Sequence, residues 1–292
     1  MSETNRFMEA EQYMESCLSF FLMNKTEDAL RLADKAIECD PNFAEAFNKK
    51  GDCLLKLGRI EEALECYLKS QELKPSIQNN YYDLGRTYLL LGDYTNSLLN
   101  FKKAYDMKPQ EDIHAFIGKI YFDQKMMDEA KQSFENILKD KLSKKDAIAN
   151  AINATSSNSM ANYYYAQILL KEGNKEEAYK YFDRIIEKYN VIAKTKKNSP
   201  EAHYYLGKVE YFKENYEEAV KHLKLAVEYD TDAIYNHYSY EMFYSDAEAF
   251  AALAEAQAKL NQTSEAKENL MKALSLEPAN QDLLTLKMKL GF

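Results

Sequence analysis

Apolar and small residues recur along the chain at spacings that fit helices, and the predicted helices come in pairs. Within a segment the apolar positions follow i, i+3, i+4 and i+7, which is typical of a helix with one buried face. Each pair is joined by a short turn that leads into a small residue of the second helix: Ala29, Ala63, Ser97, Ala130, Ala178, Ala219 and Ala266. Successive steps between these positions are 34, 34, 33, 48, 41 and 47 residues. The pattern predicts an all-α chain made of repeated helical hairpins.

Glycine and proline mark the same units independently. A glycine inside a helix costs about 1 kcal/mol relative to alanine, so its presence there indicates a facing helix that approaches closely. Proline cannot continue a helix, because it lacks a backbone N–H and clashes with the preceding turn. The glycines of first helices are Gly51, Gly85, Gly118 and Gly207, those of turns are Gly58, Gly92 and Gly173, and the prolines that end second helices are Pro41, Pro75, Pro109 and Pro278.

The third unit carries the pattern most completely, with Tyr81, Leu84, Gly85, Tyr88, Ser97, Phe101 and Pro109 in order. This arrangement resembles the tetratricopeptide repeat (TPR), a helical hairpin of about 34 residues. The resemblance covers nearly the whole chain. It implies an all-α, right-handed superhelical solenoid of about seven hairpins, with a C-terminal capping helix expected at 281–291.

The repeats are regular in the first part of the chain and interrupted in the second. We expect regular units in 1–139, at about 10–43, 44–77, 78–110 and 111–139, and irregular units in 140–292, at about 159–190, 200–230 and 247–280. Without a linker rich in Gly or Pro between them, both parts are expected to form one continuous solenoid.

Three intervals contain extra residues, in 140–159, 191–199 and 231–245. In the last interval either the helices lengthen or the insert folds onto the array. That insert is aromatic, with Tyr235, His237, Tyr238, Tyr240, Phe243 and Tyr244.

Charge and composition narrow the classes of partner. The net charge is −9, whereas nucleic acid binding relies on many Lys and Arg contacts to phosphates. We therefore expect no nucleic acid and no membrane as a partner. No stretch reaches the roughly 20 apolar residues of a membrane helix, and the polar N-terminus lacks the features of a secretory signal, so a cytoplasmic location is expected.

The spacing of Cys17, Cys39, Cys53 and Cys66 favours buried free thiols over disulfides or a metal site.

The sequence contains no nucleotide-binding glycine loop, no nucleophile elbow and no H-E-x-x-H zinc motif. Its four histidines are scattered, and His114 and His203 take a position where other units carry Phe or Tyr. A packing role is expected for both. We therefore expect neither an enzyme nor a bound cofactor or metal.

In the TPR family the first helices line a concave groove, and peptides commonly lie there. The hypothesis is that this chain is a scaffold whose groove holds an extended protein segment or peptide. Its aromatic rings would contact apolar side chains or proline, and its amide, Arg and Lys groups would bind the peptide backbone or acidic groups. An alternative for the tyrosines is that they only pack between neighbouring first helices. The predicted groove residues are Tyr82, Arg86, Phe116, Lys119, Tyr163, Tyr164, Gln167, Tyr204, Tyr205, Lys208, Tyr211 and Phe212.

Besides a peptide-binding scaffold there are two other interpretations, and one of them stays open. One TPR subclass binds the carboxylate ends of chaperone tails through Lys, Asn and Arg, but the matching positions here include Asp52, Asp83 and Asp112, so this partner is not expected. The alternative function is a structural subunit of a larger assembly that uses the convex face and the insert 231–245. The oligomeric state is left open.

Overall fold

The computed structural model describes residues 3–138, 156–195, 199–229 and 244–292, and every regular element within them is a helix. The chain divides into two compact units, 1–120 and 121–292, with the boundary inside the seventh helix. The first unit contains α1 (Glu3–Leu22), α2 (Thr26–Cys39), α3 (Ala44–Lys56), α4 (Ile60–Leu73), α5 (Gln78–Leu90), α6 (Tyr94–Met107) and most of α7 (Glu111–Asp123). The all-helical TPR fold predicted from the sequence is confirmed.

The second unit continues with α8 (Met127–Leu138), α9 (Ser156–Lys171), α10 (Lys175–Thr195), α11 (Pro200–Phe212), α12 (Tyr216–Tyr229), α13 (Asp246–Lys259), α14 (Thr263–Leu276) and α15 (Gln281–Leu290). Of the extra residues in 191–199, the first five lengthen α10. Most of 140–159 and of 231–245, including Tyr235, His237, Tyr238, Tyr240 and Phe243, lies outside the described residues. That 1–139 and 140–292 form one continuous solenoid stays a prediction.

One turn geometry joins the two helices of every hairpin. Its central residue has a positive φ, which glycine adopts freely and other L-residues adopt at a cost. Three turns use glycine, with φ of 74° at Gly58 and Gly92 and 82° at Gly173. The remaining four use Asn24, Lys125, Glu214 and Asn261, with φ between 59° and 66°. Glycine alone therefore does not identify these turns in the sequence, since four of the seven turns have another residue at the central position.

The glycines of first helices allow close contact with the second helix of the same hairpin. A Cβ atom built at Gly51 would lie 2.7 Å from the ring of Tyr67, and one at Gly207 would lie 2.5 Å from Cγ of Leu223. These contacts confirm the predicted small-residue position. The facing side chains, Tyr67 and Leu223, are both fully buried.

From α4 onward each second helix contributes one large residue to the core at the same position, whereas α2 has Ala33 there. Among these large residues, Tyr67, Phe101, Phe134 and Phe182 are all fully buried. Three of them stack on an aromatic ring of the following first helix, with Phe101 on Phe116, Phe134 on Tyr164 and Phe182 on Phe212. The interplanar angles are 3°, 11° and 3°, and the ring centroids lie 5.1, 5.9 and 5.6 Å apart. Stacked rings therefore connect one repeat to the next in the core, in addition to the burial of aliphatic side chains.

The cysteines and the last helix complete the core. Cys17, Cys53 and Cys66 are buried as expected, whereas Cys39 is half-buried. The neighbouring Cys53 thiol lowers the pKa of Cys17. At the C-terminus, Leu283 of α15 is buried against alanines of α13 and α14.

Candidate peptide-binding wall

The predicted groove residues lie on first helices, and they form one group in each unit. In 1–120 the group lies on α5 and α7, where the ring of Tyr82 meets those of Phe101 and Phe116 edge-on at 6.0 and 5.9 Å. Phe116 is only 3% exposed, so its ring belongs to the core. Arg86 is also buried, with its guanidinium 5.7 Å from the centre of the Tyr82 ring. Tyr82 and Lys119 are half-buried and reach the surface.

A polar network crosses the first helices of this unit, which the sequence analysis did not anticipate. The Asn48 amide donates to Asp83 at 2.9 Å, and the Tyr67 hydroxyl donates to Asp52 at 2.8 Å. Lys49 forms an ion pair with Asp52. Burial and the nearby Asp52 carboxylate raise the pKa of Asp83 to about 7. The carboxylates of this wall are thus already bound by the protein's own side chains.

In 121–292 the wall is aromatic. Phe122 lies 5.0 Å from Tyr164, Tyr164 lies 5.1 Å from Tyr163, and Tyr163 lies 6.1 Å from Phe212, measured between ring centroids. We call these four residues the aromatic row. Phe122, Tyr164 and Phe212 are partly exposed, whereas Tyr163 is buried. The row runs across α7, α9 and α11 and presents three rings at the surface.

Three of the predicted tyrosines of this wall are almost completely buried among other rings. Tyr204 stacks on Tyr244 at 4.2 Å, and Tyr205 stacks on Tyr189 at 5.2 Å. Tyr163, Tyr204 and Tyr205 are 6%, 6% and 2% exposed, and burial raises the pKa of each phenol well above its usual value. For these three tyrosines the geometry favours packing between helices over contact with a peptide.

The other predicted residues of this unit remain accessible. Tyr164, Gln167, Lys208, Tyr211 and Phe212 are half-buried. Burial raises the pKa of Tyr211 to about 12, so its phenol stays protonated at neutral pH and can donate a hydrogen bond. Direct contact of these five residues with a peptide stays a prediction.

Each end of the aromatic row has a lysine above a ring. The ammonium of Lys171 lies 4.6 Å from the centre of the Phe122 ring, and that of Lys208 lies 5.7 Å from the centre of the Phe212 ring. Such contacts are favourable because the ring face is electronegative. Lys171 was not among the predicted groove residues, although it occupies the same helix position as Phe212 in the next repeat.

Three of the four histidines lie within the described residues, and each packs against another ring. His114 packs edge-on against Tyr105 at 4.6 Å, consistent with the expected packing role. His203 and His222 face each other with their Nδ1 atoms 3.0 Å apart, so one imidazole N–H donates to the other ring. Across the described ranges, no group of three or more His, Cys, Asp and Glu side chains has a geometry that could hold a metal ion. Nor does any helix there have the length and apolar character needed to span a membrane.

Comparison with known proteins places the fold in a family. Tetratricopeptide repeat models match residues 32–65, 79–111, 112–139, 128–191, 200–232 and 247–280. Together these segments cover well over half of the chain. No curated protein matches the sequence.

Solved structures with a similar fold have low sequence identity to the chain. A tetratricopeptide repeat protein from Parabacteroides merdae superposes with a TM-score of 0.59 at 14% identity, over 97% of this chain and 98% of that one. The APC/C hetero-tetramer Cut9-Hcn1 contains a chain that matches with a TM-score of 0.57 at 16% identity. That match covers 91% of this chain but only 46% of the other.

A shorter match is MamA from Desulfovibrio magneticus RS-1, with a TM-score of 0.50 and 15% identity over 63% of this chain and 96% of that one. At these identities the structures support the fold and nothing finer. From the family models and the repeated hairpins, the chain belongs to the tetratricopeptide repeat family.

Proposed function

We propose that this protein is a non-enzymatic interaction scaffold that holds an extended segment of a partner protein against the wall of 121–292. The observation that supports this most directly is the aromatic row, because three of its four rings stay partly accessible on one wall, and accessible apolar surface often marks an interaction site. Phe122, Tyr164 and Phe212 offer flat apolar surface, and Tyr211 and Gln167 beside them offer polar groups for a peptide backbone. The family, whose repeats form interaction surfaces, supports the same class of function.

The wall of 1–120 is a weaker candidate for the same role. Its central ring, Phe116, is sealed, and the carboxylates of Asp52 and Asp83 are engaged by Tyr67 and Asn48. A guest there would have to displace internal hydrogen bonds, each worth about 1 kcal/mol. We therefore assign the main contact to 121–292.

A photo-crosslinking pair tests the assignment. In one variant a photo-reactive phenylalanine analogue replaces Tyr211 on the wall. In the control variant it replaces Tyr179 on α10, the second helix of its hairpin, where the tyrosine is also half-buried. The proposal predicts that, in cells, the analogue at Tyr211 forms crosslinks to partner polypeptides and the analogue at Tyr179 does not. Crosslinks formed mainly from Tyr179, in one complex of constant stoichiometry, would instead support a structural subunit that binds through its outer face.

A further inference from the structure

Several lysines of 121–292 are neutralised by acids of a neighbouring repeat, as in Lys131 with Glu172 at 2.7 Å, Lys175 with Glu214 at 2.9 Å and Lys213 with Asp183 at 2.6 Å. Lys171 and Lys208, at the two ends of the aromatic row, form no ion pair with any of the described residues. Lys125, Lys224 and Lys267 also form no ion pair with any of the described residues, but Lys171 and Lys208 differ from them because their ammonium groups lie over rings of the aromatic row.

Nearby acids are already engaged. Glu172, next to Lys171 in sequence, accepts two hydrogen bonds from Lys131, and Glu210 accepts one from Asn215 at 2.7 Å. On α13, Glu248 caps its own helix through Ser245, and Glu255 faces Lys289 at 3.9 Å. The C-terminal end of α9 partly offsets the charge of Lys171 through the helix dipole, but Lys208 lies inside α11 and has no such compensation.

We propose that the segment held against this wall is acidic, with carboxylate side chains that reach Lys171 and Lys208 while apolar residues between them cover the rings. This inference rests on the proposed function and specifies its partner by charge. A carboxylate beside an ammonium on an aromatic face gains attraction from a surface where water is partly excluded. The chain as a whole has a net charge of −9, so two lysines without an ion pair beside one aromatic row are a local departure from its acidic average.

Helix geometry sets the spacing of the acids in the guest. Packed helices lie about 8–10 Å apart, and an extended chain advances about 3.3 Å per residue. Two carboxylates roughly three residues apart therefore match lysines on neighbouring first helices. A single-stranded nucleic acid also combines aromatic and cationic contacts, but here the rings pack against each other, and Tyr163 in the middle of the row is 6% exposed, which leaves no continuous stacking surface for bases.

Three fluorescein-labelled nonapeptides test the inference on the full chain: (Asp-Pro-Leu)₃, (Asn-Pro-Leu)₃ and (Lys-Pro-Leu)₃. Fluorescence anisotropy at low and high NaCl gives the dissociation constants. The inference predicts that the Asp peptide binds about tenfold more tightly than the Asn peptide, as expected for two partly exposed ion pairs, and that salt removes the difference. The Lys peptide should bind most weakly.

The variant Lys171→Gln with Lys208→Gln should bring the Asp peptide to the affinity of the Asn peptide. The matched control, Lys175→Gln with Lys221→Gln, removes two ion-paired lysines and should leave the tenfold preference unchanged. Circular dichroism of both variants checks that helicity is retained.

Each alternative result has a distinct meaning. Equal binding of the Asp and Asn peptides, or no binding of any of the three, would overturn the acidic preference, and it would leave the proposed function standing if crosslinks still form at Tyr211. Absence of crosslinks at Tyr211 would contradict the proposed function itself. Tighter binding of a nine-nucleotide oligouridylate, lost in the Lys171→Gln and Lys208→Gln variant, would show that the wall takes a nucleic acid and would overturn the inference.

Discussion

The walls of 1–120 and 121–292 are built on the same helix positions but differ in chemistry. Asp83 of the third repeat corresponds to Tyr164 of the fifth in the repeat register. Asp83 accepts a hydrogen bond from Asn48, whereas Tyr164 stacks on Phe134 and contacts Phe122. One wall satisfies its own polar groups and the other leaves rings and lysines accessible. The repeat thus defines the skeleton, and substitutions on the first helix change the chemistry that each wall presents.

The largest expected effect concerns the skeleton that both units share. Phe101→Ala in the first unit and Phe182→Ala in the second each remove a fully buried ring that stacks on the next first helix. Each should lower the free energy of unfolding by about 3–5 kcal/mol, because a large cavity is left. Urea denaturation followed by circular dichroism measures this. A loss under about 1 kcal/mol at either site would mean that the two units do not share this packing.

The next effect tests the close contact inside a hairpin. A Cβ at Gly207 would meet Cγ of Leu223 at 2.5 Å, so Gly207→Ala should destabilise by about 1–3 kcal/mol through overpacking. The double variant Gly207→Ala with Leu223→Ala supplies the control, since it relieves the clash. Non-additive recovery in the double-mutant cycle supports the contact, whereas fully additive losses would argue against it.

A pH effect should distinguish the polar wall from the aromatic one. The folded-state pKa of Asp83 is about 7, above the value of about 3.9 for an unfolded Asp. Its protonated form is therefore favoured in the native state, and stability is lost as pH rises from about 4 towards 7. Because the side chain is only partly buried, we expect this loss to be on the order of 1–2 kcal/mol.

Asp83→Asn should flatten that dependence between pH 5 and pH 8 in thermal melts. The matched control is Asp183→Asn on the outer surface, where Asp183 pairs with Lys213. If the wild type and Asp83→Asn show the same slope with pH, the burial of this carboxylate does not control stability.

The smallest effect concerns the turns. Lys125 adopts a φ of 63° where Gly58 and Gly92 serve in other hairpins. Lys125→Gly should stabilise the protein by about 0.5–1 kcal/mol, because relief of the left-handed strain exceeds the added flexibility of the unfolded chain. Gly92→Lys is the reciprocal variant and should destabilise by a similar amount. The midpoint of urea unfolding reports both changes.

The sequence predicted the skeleton well, because the repeated Gly, Ala and Phe positions determine how helices pack. Gly207 and Phe182 could be assigned to contacts from their register alone. The sequence did not predict which inner rings are sealed, since Tyr164 and Tyr205 occupy equivalent positions and only the neighbouring rings make Tyr205 2% exposed.

Hydrogen bonds between side chains of different helices could not be predicted from the sequence either. The Asn48–Asp83 bond and the His203–His222 bond join residues 35 and 19 positions apart, and no local pattern relates them. Lys171 was missed because a lysine in the last turn of a helix is normally explained by the helix dipole. Only the position of its ammonium group over the Phe122 ring in the structure indicates that Lys171 lies on the wall.

The most direct test of the central claim is ¹⁹F NMR of the protein labelled with 3-fluorotyrosine, with signals assigned by single Tyr→Phe variants. Each of the three nonapeptides is titrated in turn. The account predicts that at least one peptide shifts the signals of Tyr164 and Tyr211 and leaves that of Tyr179, on the second helix α10, unchanged. Shifts at Tyr179 without shifts at Tyr164 and Tyr211, or no shift with any peptide, would contradict the account.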